Sequence, residues 1–203
     1  HNSVWRNTVN WQLIDESFKN NITKAETLND TMKCFVSVLE SLNDVHSQIY
    51  LNNKFYGHYP SFDDTTLAWL KPLNDKAIST TNQISTKRLT NKIAYLRVPS
   101  IQTNNEQEIN RYAQLLYDSV SQFATKKIQG IIIDLRLNGG GNIYPMLSGL
   151  SPFFGNGIVA YEVGIDDSIV RNWEIKNGNF TIGSYTTTNI VVNKKIRLQS
   201  IPV

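Results

Sequence analysis

The chain is poor in the residues that build covalent and metal frameworks. One cysteine in 203 residues leaves no internal disulfide. Cys34 sits in an apolar run at helical spacing, where a buried, inert thiol is expected. There are three histidines, and His46 and His58 lack the i, i+4 spacing of a helical zinc pair, so neither a metal nor a cofactor is expected. Charge of one sign is also scarce. Twenty Lys and Arg oppose 17 Asp and Glu, a net +3, and no run of even five basic residues occurs, which argues against a nucleic-acid partner. No stretch approaches the roughly 18 apolar residues of a membrane span. The start at His1-Asn2-Ser3 lacks the charged-then-apolar order of a secretion signal, and any export signal is expected to have been removed.

What is present is enough to bury a core: 40% hydrophobic residues, 10% aromatic and only 18% charged. Wholesale disorder, collagen and coiled-coil arrays are excluded. Three regions are expected: a helical region over 1–50, a linking region with short strands over 51–90, and an α/β core over 91–203. In the first, Asn10 reads as the N-cap of a helix with Trp11, Ile14 and Phe18 on one face. A Thr23-x-x-Glu26 capping box reads as the start of a second helix carrying Leu28, Met32, Phe35, Val36, Leu39 and Leu42. Asn43 and Asp44 stop that helix. Gln48 to Leu51 follow as an extended segment, which places His46 at a helix exit.

Ile93 to Val98 read as a strand closed by Pro99, and Ile109 to Phe123 as a long amphipathic helix. Gly130 to Leu135 form a continuous apolar strand. Strand, helix, strand at this spacing predicts a right-handed βαβ crossover in a parallel sheet covered on both faces. Beyond a helix over Ile143–Leu150, strands are expected over Gly157–Val163, Ile169–Lys176 and Phe180–Ile182, with Asn177-Gly178 as a two-residue hairpin turn. Ser200 to Val203 read as the opening of another strand, so a truncated sheet, a fragment, is expected.

Between the apolar strand and its following helix runs Leu137-Asn138-Gly139-Gly140-Gly141-Asn142. Three successive glycines cost backbone entropy, so the turn is expected either to need positive φ or to let something approach closely. Its N–H groups, backed by a helix start, form a positive concavity for a phosphate, a carboxylate or a developing oxyanion. The dinucleotide and Walker patterns are both absent, which disfavours nucleotide binding. A tight turn serving only packing is the plain alternative. In Asp44-Val45-His46-Ser47, an imidazole near neutrality can accept a proton if a neighbour fixes its tautomer, and Asp44 could do so or merely cap the helix.

These segments, in this order, resemble the carboxyl-terminal processing and tricorn-core serine peptidases. Leu42-Asn43-Asp44-Val45-His46-Ser47 is similar to that family's Asp-x-His-Ser signature. Lys92 to Ser100 resembles its first core strand, and Asp134-Leu135-Arg136-Leu137-Asn138-Gly139-Gly140-Gly141 its Asp-Leu-Arg-x-Asn-x-Gly-Gly element. The resemblance implies an α/β fold of the Clp-protease/crotonase type with the helical hairpin packed on it. Asp134 and Arg136 would support the strand end, Gly140 and Gly141 would form the oxyanion site, and His46 would act as general base. The nucleophilic serine would follow a segment similar to Ile201-Pro202-Val203, so this chain alone is expected to be inactive. Gly139 replaces a frequent proline and Val45 a frequent glycine. The span from Leu51 to Ile93 is too short for the inserted PDZ domain of many members.

The expectation is therefore an exported serine endopeptidase acting on peptides or proteins. Self-association through an open sheet edge is possible on this reading. Ser47 and Ser148 are discounted as nucleophiles, the first because it adjoins the base and the second as polar-face filler within a helix. A crotonase-like acyl-CoA hydrolase or isomerase, and a non-catalytic peptide-binding module, are the alternatives.

Overall fold

The asparagine at position 10 caps the first helix as its side chain dictates, accepting the Leu13 N–H at 3.1 Å. A computed structural model describes residues 9–43, 47–58, 65, 68–69, 71–72, 75, 83–124, 127–164, 166–192 and 196–203. They fall in two compact units, His1–Ala68 and Trp69–Val203. Among the described residues no helix is long and apolar enough to cross a membrane.

In the first unit α1 spans Trp11–Ile22 and α2 spans Leu28–Ser41. The capping box lies four residues later than expected. Thr23 ends α1 in helical conformation, whereas Thr27 is extended and accepts the Asp30 N–H. Its hydroxyl donates to Asp30 Oδ2 at 2.6 Å, so Thr27 and Asp30 do the work expected of Thr23 and Glu26. Phe18 and Phe35 join the helices with ring centroids 5.1 Å apart. Cys34 is buried, as its position implies. After α2, Asn43 turns left-handed at φ 49°. The antiparallel pair β1 (Gln48–Leu51) and β2 (Lys54–Gly57) closes on Asn52-Asn53, both at positive φ. Asp44, Val45 and His46 lie outside the described residues.

The second unit opens with β3 (Ser85–Arg88), β4 (Ile93–Arg97), α3 (Glu106–Ala124) and β5 (Gly130–Asp134). Helical residues precede these strands, at 65 and 68 in the first unit and at 69, 71–72 and 75 in the second, where only short strands were expected. β4 and β5 are parallel in the register Ile93↔Gly130 to Arg97↔Asp134, as strand-helix-strand spacing predicts, and β3 adds antiparallel to β4. Leu116, Val120 and Phe123 of α3 pack on Ala94, Leu96, Val98 and Ile131.

Among the described residues α3 covers one face of this sheet, and on the other face cover is missing at Ile132. Ile132 is 48% exposed. A strand sends alternate side chains to opposite faces, so Ile131 faces α3 and Ile132 does not, although both belong to one apolar run.

The chain continues through α4 (Ile143–Gly149) and α5 (Ser151–Phe154) into an antiparallel sheet of order β6-β7-β8-β9, formed by Gly157–Val163, Ile169–Lys176, Asn179–Ile182 and Tyr185–Thr186. Asn177 (φ 51°) and Gly178 (φ 82°) make the predicted hairpin turn. Tyr144 and Leu147 of α4 pack on Ile175, Phe180 and Ile182. Residues 187–192 run extended along α3, held by side-chain amides: Asn110 accepts from Asn189 N–H at 2.6 Å and Gln114 from Val191 N–H at 2.7 Å.

The expected strand at Ser200–Val203 is one hydrogen bond. Pro202 carbonyl accepts from Ile131 N–H at 2.9 Å, on the edge of β5 away from β4, and Ile201 turns back to Leu198. Pro202, with no N–H, interrupts a ladder there.

Candidate active site

β5 ends on a carboxylate that several donors share. Asp134 accepts from Tyr95 Oη at 2.6 Å and from Arg136 Nε and Nη2 at 2.9 and 2.7 Å, the last two as a bidentate fork. The Arg136 N–H adds a fourth bond at 3.0 Å. The Arg136 guanidinium first, and the Tyr95 hydroxyl second, hold the Asp134 carboxyl far below the usual carboxylate range. The same bond raises the Tyr95 hydroxyl. Asp134 thus stays ionised at any working pH, which makes it a fixed structural anion and a poor proton acceptor. Arg97, its partner on β4, has a buried Nε without a hydrogen bond among the described residues.

The chain leaves this anchor into the glycine bend, stitched to the segment following β4. Asn142 N–H donates to Ile101 carbonyl at 2.7 Å and Asn142 Nδ2 to Thr103 carbonyl at 2.9 Å. Gly140 and Gly141 have φ 97° and 118°. A Cβ on Gly140 would meet nothing within 4 Å, whereas one on Gly141 would collide with the Ile101 carbonyl, 2.9 Å from its carbon. Gly140 is therefore glycine for its backbone angle, and Gly141 for angle and space together.

The three amides are not equivalent. Gly139 N–H donates to Ser100 Oγ at 2.7 Å and Gly140 N–H to Asn138 Oδ1 at 2.8 Å. Among the described residues none accepts from Gly141 N–H. The helix start expected to reinforce the bend contributes little: α4 has seven residues, and Asn142 Oδ1 already takes the Tyr144 N–H at 2.9 Å. The anion-attracting capacity rests on bend amides.

His46 is outside the described residues, so no distance relates it to the bend. Ser148 is not polar-face filler. It is fully buried, donating to Gly178 carbonyl at 2.6 Å and accepting from Thr188 Oγ1 at 3.0 Å, because its face of α4 meets the second sheet. Both bonds commit its hydroxyl to structure. A cleft of this unit, about 640 Å³, is lined by Tyr117, Phe154, Asn156, Asn177, Arg197 and Gln199 among others, and by no bend residue. Three contributors carried no role in the sequence reading: Tyr95, Ser100 and Asn138. The β4–β5 register was the available signal for Tyr95. Nothing local marked Ser100 as a partner of Gly139, 39 residues away.

Residues 92–192 match peptidase family S41. The nisin-resistance protein of Lactococcus lactis subsp. lactis is 34% identical over 108 residues, 53% of this chain and 32% of that protein. Among solved structures, a lipoprotein from Streptococcus agalactiae aligns with a TM-score of 0.55 at 19% identity, over 78% of this chain and 48% of its own. A candidate peptidase from Parabacteroides merdae ATCC 43184 aligns with a TM-score of 0.54 at 17% identity, over 92% and 58%. These two likenesses concern the fold. The chain spans about a third of the curated relative it matches and about half of each solved chain. The segment that carries β4, β5 and the Asp-Leu-Arg-x-Asn-x-Gly-Gly bend, residues 92–192, is thus similar to peptidase family S41.

Proposed function

We propose that this chain contributes the oxyanion-stabilising bend and the general base of an exported serine-type endopeptidase. The observation that carries the reading is the bend itself, two glycines at positive φ with the Gly141 amide unengaged among the described residues. In the proposed reaction a serine hydroxyl attacks the scissile carbonyl, and His46 takes its proton. The carbonyl oxygen becomes an oxyanion held by Gly141 N–H, while Gly140 N–H stays on Asn138 Oδ1. Collapse breaks the C–N bond as His46 returns the proton to the departing amine, and water then cleaves the acyl-enzyme by the same route. None of the 203 residues is assigned as the nucleophile. One lost oxyanion donor costs on the order of 10²–10³ in rate, so the bend matters as much as the base.

The substrate class is a peptide or protein. A nisin-resistance protein and a lipoprotein among the relatives support placement in the cell envelope or outside the cell. The decisive experiment is fluorophosphonate labelling of the complete protein with and without His46→Gln. Labelling of a serine that the substitution abolishes is expected; undiminished labelling removes His46 as base, and no labelling of the wild type removes the serine mechanism.

A further inference from the structure

Asn138 holds three parts of the second unit together. Its carboxamide oxygen accepts from Gly140 N–H at 2.8 Å, and its nitrogen donates to Pro99 carbonyl at 3.2 Å and lies 3.6 Å from Met146 Sδ. Its backbone N–H bonds back to Leu135 carbonyl at 2.8 Å. One side chain thereby ties the bend to the exit of β4 and to α4. Only a group with both an acceptor and a donor on adjacent atoms makes the first two bonds together, which a carboxamide does and an ionised carboxylate does not. The consequence for the bend is an unequal pair of amides, Gly140 committed to Asn138 and Gly141 unengaged among the described residues.

We infer that Asn138 is a positioning residue, which holds the Gly140 amide against the protein and thereby leaves Gly141 as the amide offered to an arriving oxygen. It acts through Gly140 and does not touch the substrate. That the arriving oxygen is an oxyanion of peptide hydrolysis rests on the peptidase reading; the hold on Gly140 does not.

Two substitutions separate these statements. Asn138→Ala removes the acceptor. Asn138→Asp keeps size and acceptor but, when ionised, loses the bond to Pro99 and sets a negative charge beside the bend. In glycine-labelled full chain followed by NMR, Gly140 amide exchange should quicken about tenfold or more in Asn138→Ala. In Asn138→Asp the Gly140 resonance should titrate with the introduced carboxyl, a response absent from the wild type. Unchanged Gly140 exchange together with a resonance insensitive to pH overturns the positioning role, and the second variant decides if the first fails to fold.

With the complete protein and a peptide substrate, Asn138→Asp should lower kcat about 10²-fold at neutral pH with KM changed less than about threefold, because charge opposes charge mainly in the transition state. The variant-to-wild-type rate ratio should rise as pH falls through the introduced carboxyl's pKa, and that ratio cancels titration of the base. A ratio independent of pH in an active protein overturns the positioning role while sparing the peptidase reading. Bend resonances that respond as stated in a protein that hydrolyses no peptide sink the peptidase reading and keep the hold on Gly140.

Discussion

The Ile101 carbonyl faces the Cα of Gly141 so closely that its carbon would stand 2.9 Å from a side-chain Cβ there, while the adjacent Gly140 has open space on the same count. Two neighbouring glycines are thus held by different forces.

Gly141→Ala must displace backbone that is itself bonded to Asn142, and it is expected to cost more than about 3 kcal/mol. Gly140→Ala carries only the penalty of positive φ, about 1–2 kcal/mol. Urea denaturation of both variants measures the difference, and equal losses would contradict the packing argument.

Acid should weaken the strand-end anchor. The folded pKa of Asp134 lies below its unfolded value, so its contribution is complete above about pH 4 and is lost as pH falls toward the folded pKa. The stability gap between wild type and Asp134→Asn is therefore expected to be flat near neutrality and to shrink below about pH 4. A gap unchanged down to strongly acid pH would show that the Arg136 and Tyr95 bonds do not perturb this carboxyl. Tyr95→Phe removes one of those bonds and should cost about 1.5 kcal/mol near neutrality.

A serine on a solvated helix face would be replaceable at little cost, within about 0.5 kcal/mol. Ser148 is bonded to Gly178 and Thr188 inside the unit, so Ser148→Ala is expected to cost about 1–3 kcal/mol. A double-mutant cycle with Thr188→Ala should show non-additivity of at least about 0.5 kcal/mol; strict additivity would mean the two hydroxyls are not coupled.

The extended stretch over 187–192 depends on two side chains of α3, Asn110 and Gln114, that imitate a neighbouring strand. Gln114→Ala should speed hydrogen exchange at Val191 about tenfold, leaving Asn189 less affected, and Asn110→Ala should do the reverse. Uniform change along the stretch in both variants would point to general loosening instead.

Much of the architecture is legible in the residues alone. Asn10 announced α1, Asn177-Gly178 announced a hairpin, and the 3.6-residue repeat through Ile109, Leu116 and Phe123 announced the crossover helix. The glycine bend was visible as a motif. The placement of the second cap was not, because Thr23 and Thr27 offer the same hydroxyl and only the path of the chain decides which is extended.

What this sequence settles alone is whatever depends on a handful of consecutive residues: helical and strand periods, turn chemistry and the presence of three successive glycines. Tertiary packing decided which bend amide is taken and which is not, that Ile132 faces outward beside a buried Ile131, and that Ser148 is interior. The reason is one of range. Asn138 meets Pro99, and Gly139 meets Ser100, across 39 residues each, and a contact at that separation exists only once α3 has folded β4 and β5 side by side.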